Sequence, residues 1–142
     1  MDFLSEELIY QKSSQELTSL LYEGLIDNIS NAINYIQNKD LIEANKKIQR
    51  ANDILFRLGV GINYEAGVIA EQLDTLYNYM ANSLIEANYK KDIKILKDTL
   101  TIADNLSGAW NEALNKKENY NERRFQHQAS SYEKHVSVMS QE

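Results

Sequence analysis

No cysteine and no proline occur among the 142 residues, and glycine appears only five times. Without cysteine, neither a disulfide framework nor a thiolate metal site can form. Proline and glycine punctuate sheets and turns, so their scarcity points to an all-α chain. No apolar run approaches the roughly 20 residues that span a bilayer, which excludes membrane insertion as a helix. The N-terminal MDFLSEELIYQ is acidic and lacks the basic region and long apolar run of a signal peptide, so the expected location is the cytoplasm. Cationic residues are in deficit: 15 Lys and Arg stand against 21 Asp and Glu, a net charge of −6. That deficit argues against nucleic acid and anionic membrane surfaces, both of which need a cationic face.

An apolar fraction of 43% and a charged fraction of 25% are ordinary for a soluble globular protein. The length suits one domain able to close a core without a metal or disulfide. The chain is organised around GVIAEQLDTLYNYMANSLIEAN, residues 67–88. Ile69, Leu73, Leu76, Met80, Leu84 and Ala87 recur there at steps of three and four, one stripe of an α-helix. Tyr77 widens the stripe, whereas Tyr79 and Ile85 lie off it and leave part of the outer surface apolar.

In chain order, residues 2–11 fit a short helix, too short to stand alone. Ser13 and Glu16 fit a capping box, after which Leu17, Leu20, Leu21, Leu25, Ile29, Ala32 and Ile36 keep helical spacing. Gly24 inside that run costs about 0.8–1 kcal/mol relative to alanine, which a close approach by another backbone would explain. Asn38 is a helix stop and Asp40 an N-cap for a second helix bearing Ala44, Ile48, Ala51, Leu55 and Leu58 on one stripe. Gly59-Val60-Gly61 ends it, and Asn63 is a candidate cap for the central helix. A link around residues 88–92 leads to a fourth helix with Ile93, Leu96, Leu100, Ala103, Leu106, Trp110 and Ala113 aligned. Short links join antiparallel neighbours, so the expected fold is an antiparallel up-down four-helix bundle over residues 1–116, with 1–12 as a short N-terminal cap helix. In the polar tail, 117–142, Phe125, Ala129, Tyr132, Val136 and Met139 repeat at steps of four and three. A C-terminal fifth helix and a frayed tail both fit that pattern.

Catalytic chemistry is hard to find. His127 and His135 stand eight apart, which cannot supply the Glu-x-x-His pairs of a bundle di-iron site. There is no haem-ligand pattern and no glycine-rich phosphate loop, so neither an enzyme nor a cofactor is expected. Binding remains. The nine tyrosines suit interfaces, since the ring is apolar and the tip polar; Tyr22 and Tyr79, off the main stripes, are the better contact candidates.

Leu21-Tyr22-Glu23-Gly24, Ala51 with Ile54, Leu55 and Leu58, Leu76-Tyr77-Asn78-Tyr79-Met80, Leu84 with Ala87-Asn88, and Ala109-Trp110 occur in that order. The ordered set resembles the signatures of the FliS family of flagellin export chaperones over about residues 13–115. The chain departs from the family at Ser13-Ser14, where no proline follows, and at Ser107-Gly108 in place of an Arg-acidic pair. The resemblance implies a cytoplasmic bundle that binds the C-terminal segment of flagellin and prevents premature polymerisation. It further implies delivery to the flagellar type III export apparatus, with the cytosolic domain of the export gate as receiver. The anti-sigma factor of flagellar genes is a further client to consider, and a homodimer stays open. Leu21, Tyr22, Leu25, Ile29, Ala51, Leu55, Leu73, Tyr77 and Met80 are expected to line or support the client grooves, with Leu8 and Tyr10 gating them. The alternative is a structural bundle that self-associates through the Phe125–Met139 stripe.

Overall fold

Helical periodicity runs through nearly the whole chain, and the backbone follows it. The computed structural model describes residues 3–140, with side-chain surroundings from Ser14 to Tyr120 except Ala66 and Glu118, and for Arg123, Arg124, Gln126, His127 and Ala129 beyond. These residues form α1 (Phe3–Gln37), α2 (Leu41–Val60), a single 3-10 turn (Tyr64–Ala66), α3 (Val68–Lys90) and α4 (Ile93–Ser140). The fold is an all-α four-helix bundle. Among the described residues, no helix is long and apolar enough to cross a membrane.

Two boundaries differ from expectation. Residues 3–37 form one helix, without a separate N-terminal helix or a start at Ser13. No glycine or proline interrupts the chain before Gly24, and serine in a helix interior costs only tenths of a kcal/mol. Ser14 behaves as an interior residue, its carbonyl accepting from Thr18 Oγ1 at 3.1 Å. Likewise the tail repeat belongs to α4, not to a fifth helix. Past Gly108 no helix breaker occurs, and Glu112–Lys116 forms an i,i+4 ion pair at 3.1 Å.

The links work as their residues dictate. Asp40 Oδ1 accepts from Glu43 N at 3.2 Å and so caps α2, while Lys39 takes the left-handed turn at φ 61. Asn63 caps the 3-10 turn, accepting from Glu65 N at 3.1 Å, rather than the long helix that follows. Gly67, at φ 71, separates the two, a conformation that favours glycine. Asp92 Oδ1 accepts from Lys94 N at 2.9 Å at the start of α4.

Contacts across the bundle fix the antiparallel order of α1, α2 and α3. A Cβ on Gly24 of α1 would stand 3.2 Å from Ile54 Cδ1 of α2, so the close neighbour is a side-chain tip, not the backbone expected. Asn45 near the start of α2 accepts from Asn88 Nδ2 near the end of α3 at 2.7 Å. The hydroxyls of Tyr22 in α1 and Tyr77 in α3 share a buried hydrogen bond of 2.5 Å. Leu25, Ile29, Ile48, Met80, Leu84 and, in α4, Leu96 are fully buried. Thr99 is buried too, its hydroxyl satisfied by Ile95 O at 2.9 Å. The chain divides into two compact units, one ending at Ser107 and one beginning at Gly108.

Candidate functional site

A bundle that used all its apolar surface internally would leave only scattered apolar residues outside. Here α2 and α3 each carry a second apolar pair at i,i+4 spacing, beside the buried row. Phe56 and Val60 are 74% and 72% exposed, Ile85 and Tyr89 61% and 88%. Because the helices are antiparallel, these pairs border one furrow.

Two open clefts of about 560 Å³ each make up that furrow. One lies among Asn45, Gln49, Asn52, Ile85, Asn88, Tyr89 and Lys91. The other is lined by Leu55, Phe56, Gly59, Val60, Tyr64, Asp74, Tyr77, Asn78 and Ala81, again with Asn52, so Asn52 is common to both. Buried Leu55 and Tyr77 form part of the floor. Charge is sparse and separated: Asp74 lines one cleft and Lys91 the other. Lys91 Nζ donates to Asn88 O at 2.6 Å and Asn88 Oδ1 at 2.5 Å, which holds the ammonium at that end. Asn52 Oδ1 is buried and accepts no hydrogen bond from the described residues.

A second apolar surface runs along α3 through Val68, Gln72, Leu76 and Tyr79, a shallow cleft of about 550 Å³ that also includes Glu71 and Thr75. Burial pushes the Tyr22 and Tyr77 hydroxyls above the usual phenol range, so both are neutral well past pH 7. Among the described residues no group of three or more acidic, histidine or cysteine side chains could hold a metal.

The residues singled out from the sequence fall into three places. Tyr22, Leu25, Ile29, Ala51, Leu55, Tyr77 and Met80 are buried, and of these Leu55 and Tyr77 also reach the furrow. Leu21 and Leu73 are half-buried. Leu8 and Tyr10 belong to α1, but their side chains lie outside those described. Of the two tyrosines read as off-stripe, Tyr79 is 60% exposed, whereas Tyr22 is 4% exposed and its hydroxyl meets that of Tyr77. Ile69, expected on the core stripe, is exposed, and Ala70 is buried in its place. The Phe125–Met139 stripe lies outside the described side chains, except for exposed Ala129. Phe56, Val60, Asn52 and Tyr89 went unnoticed in the sequence, although the i,i+4 pairs Phe56–Val60 and Ile85–Tyr89 were its legible sign.

The family model described as "Flagellar protein FliS" matches residues 5–117. Similar relatives include the flagellar secretion chaperone FliS of Vibrio cholerae, 28% identical over 101 residues that cover 70% of this chain and 74% of that protein. The chaperone of the same name from Bacillus subtilis is 29% identical over 99 residues, 70% of this chain and 74% of its own. The Escherichia coli relative is 24% identical over 111 residues, 77% of this chain and 82% of its own.

Proposed function

Since this chain belongs to the FliS family, we propose that it is a flagellar secretion chaperone. It binds the C-terminal segment of flagellin in the cytoplasm, keeps it from polymerising early, and aids its delivery to the flagellar type III export apparatus. The observation that brings this reading to particular residues is the α2–α3 furrow, with Phe56, Val60, Ile85 and Tyr89 exposed along it. An amphipathic segment laid into a furrow between two helices buries its own apolar stripe and covers theirs. While held there, that stripe is withdrawn from the contacts that would build a filament.

The magnitudes suit a carrier. Burying an exposed aliphatic or aromatic side chain gives about 1.5–3 kcal/mol each, and association costs about 4–15 kcal/mol. Four such side chains contribute about 6–12 kcal/mol, the same order as that cost. Handover to the cytosolic domain of the export gate would complete the cycle by exchange of partners, without nucleotide, metal or bond chemistry. The anti-sigma factor of flagellar genes would compete for the same furrow as a second client.

Calorimetry of the full chain against a peptide from the C-terminus of flagellin tests this. Binding with a negative heat-capacity change is expected, because apolar surface leaves water. Absence of heat together with absence of a complex on a sizing column rejects it.

A further inference from the structure

A docked helix needs a direction as well as a place, and the backbone of the furrow supplies none. The start of α2 meets the end of α3, and the end of α2 meets the start of α3. A helix laid between these antiparallel neighbours lies along the macrodipole of one and against that of the other, and the two effects largely cancel. Direction therefore falls to side-chain charge.

Two charged side chains line the clefts, Asp74 in one and Lys91 in the other. Asp74 lies within α3 and Lys91 is its C-cap, so at 1.5 Å per residue their backbones stand about 25 Å apart, the length of a helix of roughly 17 residues. Each charge is held without being used up. The Lys91 ammonium donates to the backbone and side-chain oxygens of Asn88, which leaves at least one of its three N–H groups free. Asn88 is in turn tied to Asn45 of α2, which gives that ammonium a fixed base. Asp74 accepts one long hydrogen bond, 3.4 Å, from the Tyr64 hydroxyl, and among the described residues no cation pairs with it. Charges near the Lys91 end are engaged elsewhere: Lys90 pairs with Glu86, Glu43 with Lys46, and Asp92 accepts from Lys94 N.

We propose that Asp74 and Lys91 set the direction of the client: the flagellin segment docks as a helix parallel to α3 and antiparallel to α2, its N-terminus at Asp74 and its C-terminus at Lys91. The free N–H groups of its first turn then face a carboxylate, and the free carbonyls of its last turn face an ammonium with a proton to donate. The reverse direction sets like against like at both ends. The inference rests on the assignment of the furrow to flagellin.

Because the chain has no cysteine, single nitroxide labels report the direction. Arg57→Cys, beside Phe56, and Lys94→Cys, three residues past Lys91, place the label on exposed positions outside both clefts. An isotopically labelled peptide of the flagellin C-terminal segment is bound to each protein, and its amide resonances are followed by NMR. The Arg57→Cys label should broaden the N-terminal part of the bound helix, and the Lys94→Cys label its C-terminal part. Without a label, Asp74→Asn and Lys91→Met should each bind the peptide about two- to fivefold more weakly, a loss that shrinks as salt is added. The opposite order of broadening overturns the proposal and leaves the chaperone reading standing. Broadening of both ends by both labels does the same. So do charge variants that melt as the parent does and bind as tightly at low salt. A bound peptide broadened by neither label lies outside the furrow, which overturns the proposal together with the placement of the client. Failure of the parent protein to bind any flagellin peptide removes the chaperone reading, and this inference with it.

Discussion

Gly59 offers a way to close the furrow without harming the fold. It lies in the last turn of α2, lines the cleft beside Phe56 and Val60, and a Cβ added to it meets no atom within 4 Å. Gly59→Leu therefore projects into open space that the client is expected to fill. Two opposite effects follow. In the free protein, leucine is a better helix former than glycine by about 0.8 kcal/mol, an upper limit this close to the helix end. Thermal or urea denaturation should show unchanged or slightly higher stability. In the complex, the client must give up an apolar contact or overpack against the new side chain, at about 1.5–3 kcal/mol. Affinity for the flagellin C-terminal peptide should fall about 10- to 150-fold by calorimetry. Arg50→Leu, also exposed on α2 but outside both clefts, is the control and should bind as the parent does. A Gly59→Leu protein that is stable and binds the peptide as tightly as the parent refutes the placement of the client in this furrow.

Leu84→Ala, at a fully buried position, should lower unfolding free energy by about 2–5 kcal/mol in urea titration, whereas Tyr79→Ala should stay within about 0.5 kcal/mol. Asp40→Ala removes the cap on α2 and should cost about 1 kcal/mol in the same assay. The Tyr22 and Tyr77 hydroxyls titrate above the ordinary value of 10.0 in the fold because burial disfavours the phenolate. The unfolded chain therefore loses these protons first. Their stabilising contribution is complete below pH 10 and declines above it, by at most about 1.4 kcal/mol per pH unit for each tyrosine; the double Tyr→Phe variant should flatten that decline. If a bound helix runs toward Lys91, Lys91→Glu and Asp74→Lys should each weaken the complex by about 0.3–1 kcal/mol, more at low salt.

The buried row of α2 shows how far a sequence can be read. Ala44, Ile48, Ala51, Leu55 and Leu58 share one face by spacing alone, and all five are buried. Asp40 as a cap was equally readable, because an N-cap is satisfied within three residues of itself. The continuity of α1 through Ser13-Ser14 was not, since a capping-box pattern also fits the interior of a helix when nothing forces a break. Tyr22 was misplaced for a different reason. The buried row of α1 runs through Tyr22, Leu25, Ile29 and Ala32 at steps of three and four, and not through Leu17 and Leu20, which are exposed. In α3 the core row runs through Ala70, Tyr77, Met80, Leu84 and Ala87. Larger Ile69 looked the better core residue, but hydrophobicity does not reveal which edge of a wide stripe meets a neighbour.

By itself the sequence determined that the chain is helical, where most turns of its links fall, and which residues share a face, because all three are set by interactions within a few residues. Family membership was legible for the same reason, as a series of local signatures in a fixed order. The furrow belongs to the tertiary structure. Only the antiparallel packing of α2 on α3 sets Phe56 and Val60 in one cleft and Ile85 and Tyr89 in the next, with Asn52 common to both. Periodicity names the faces of a helix; what covers each face is decided by its neighbours.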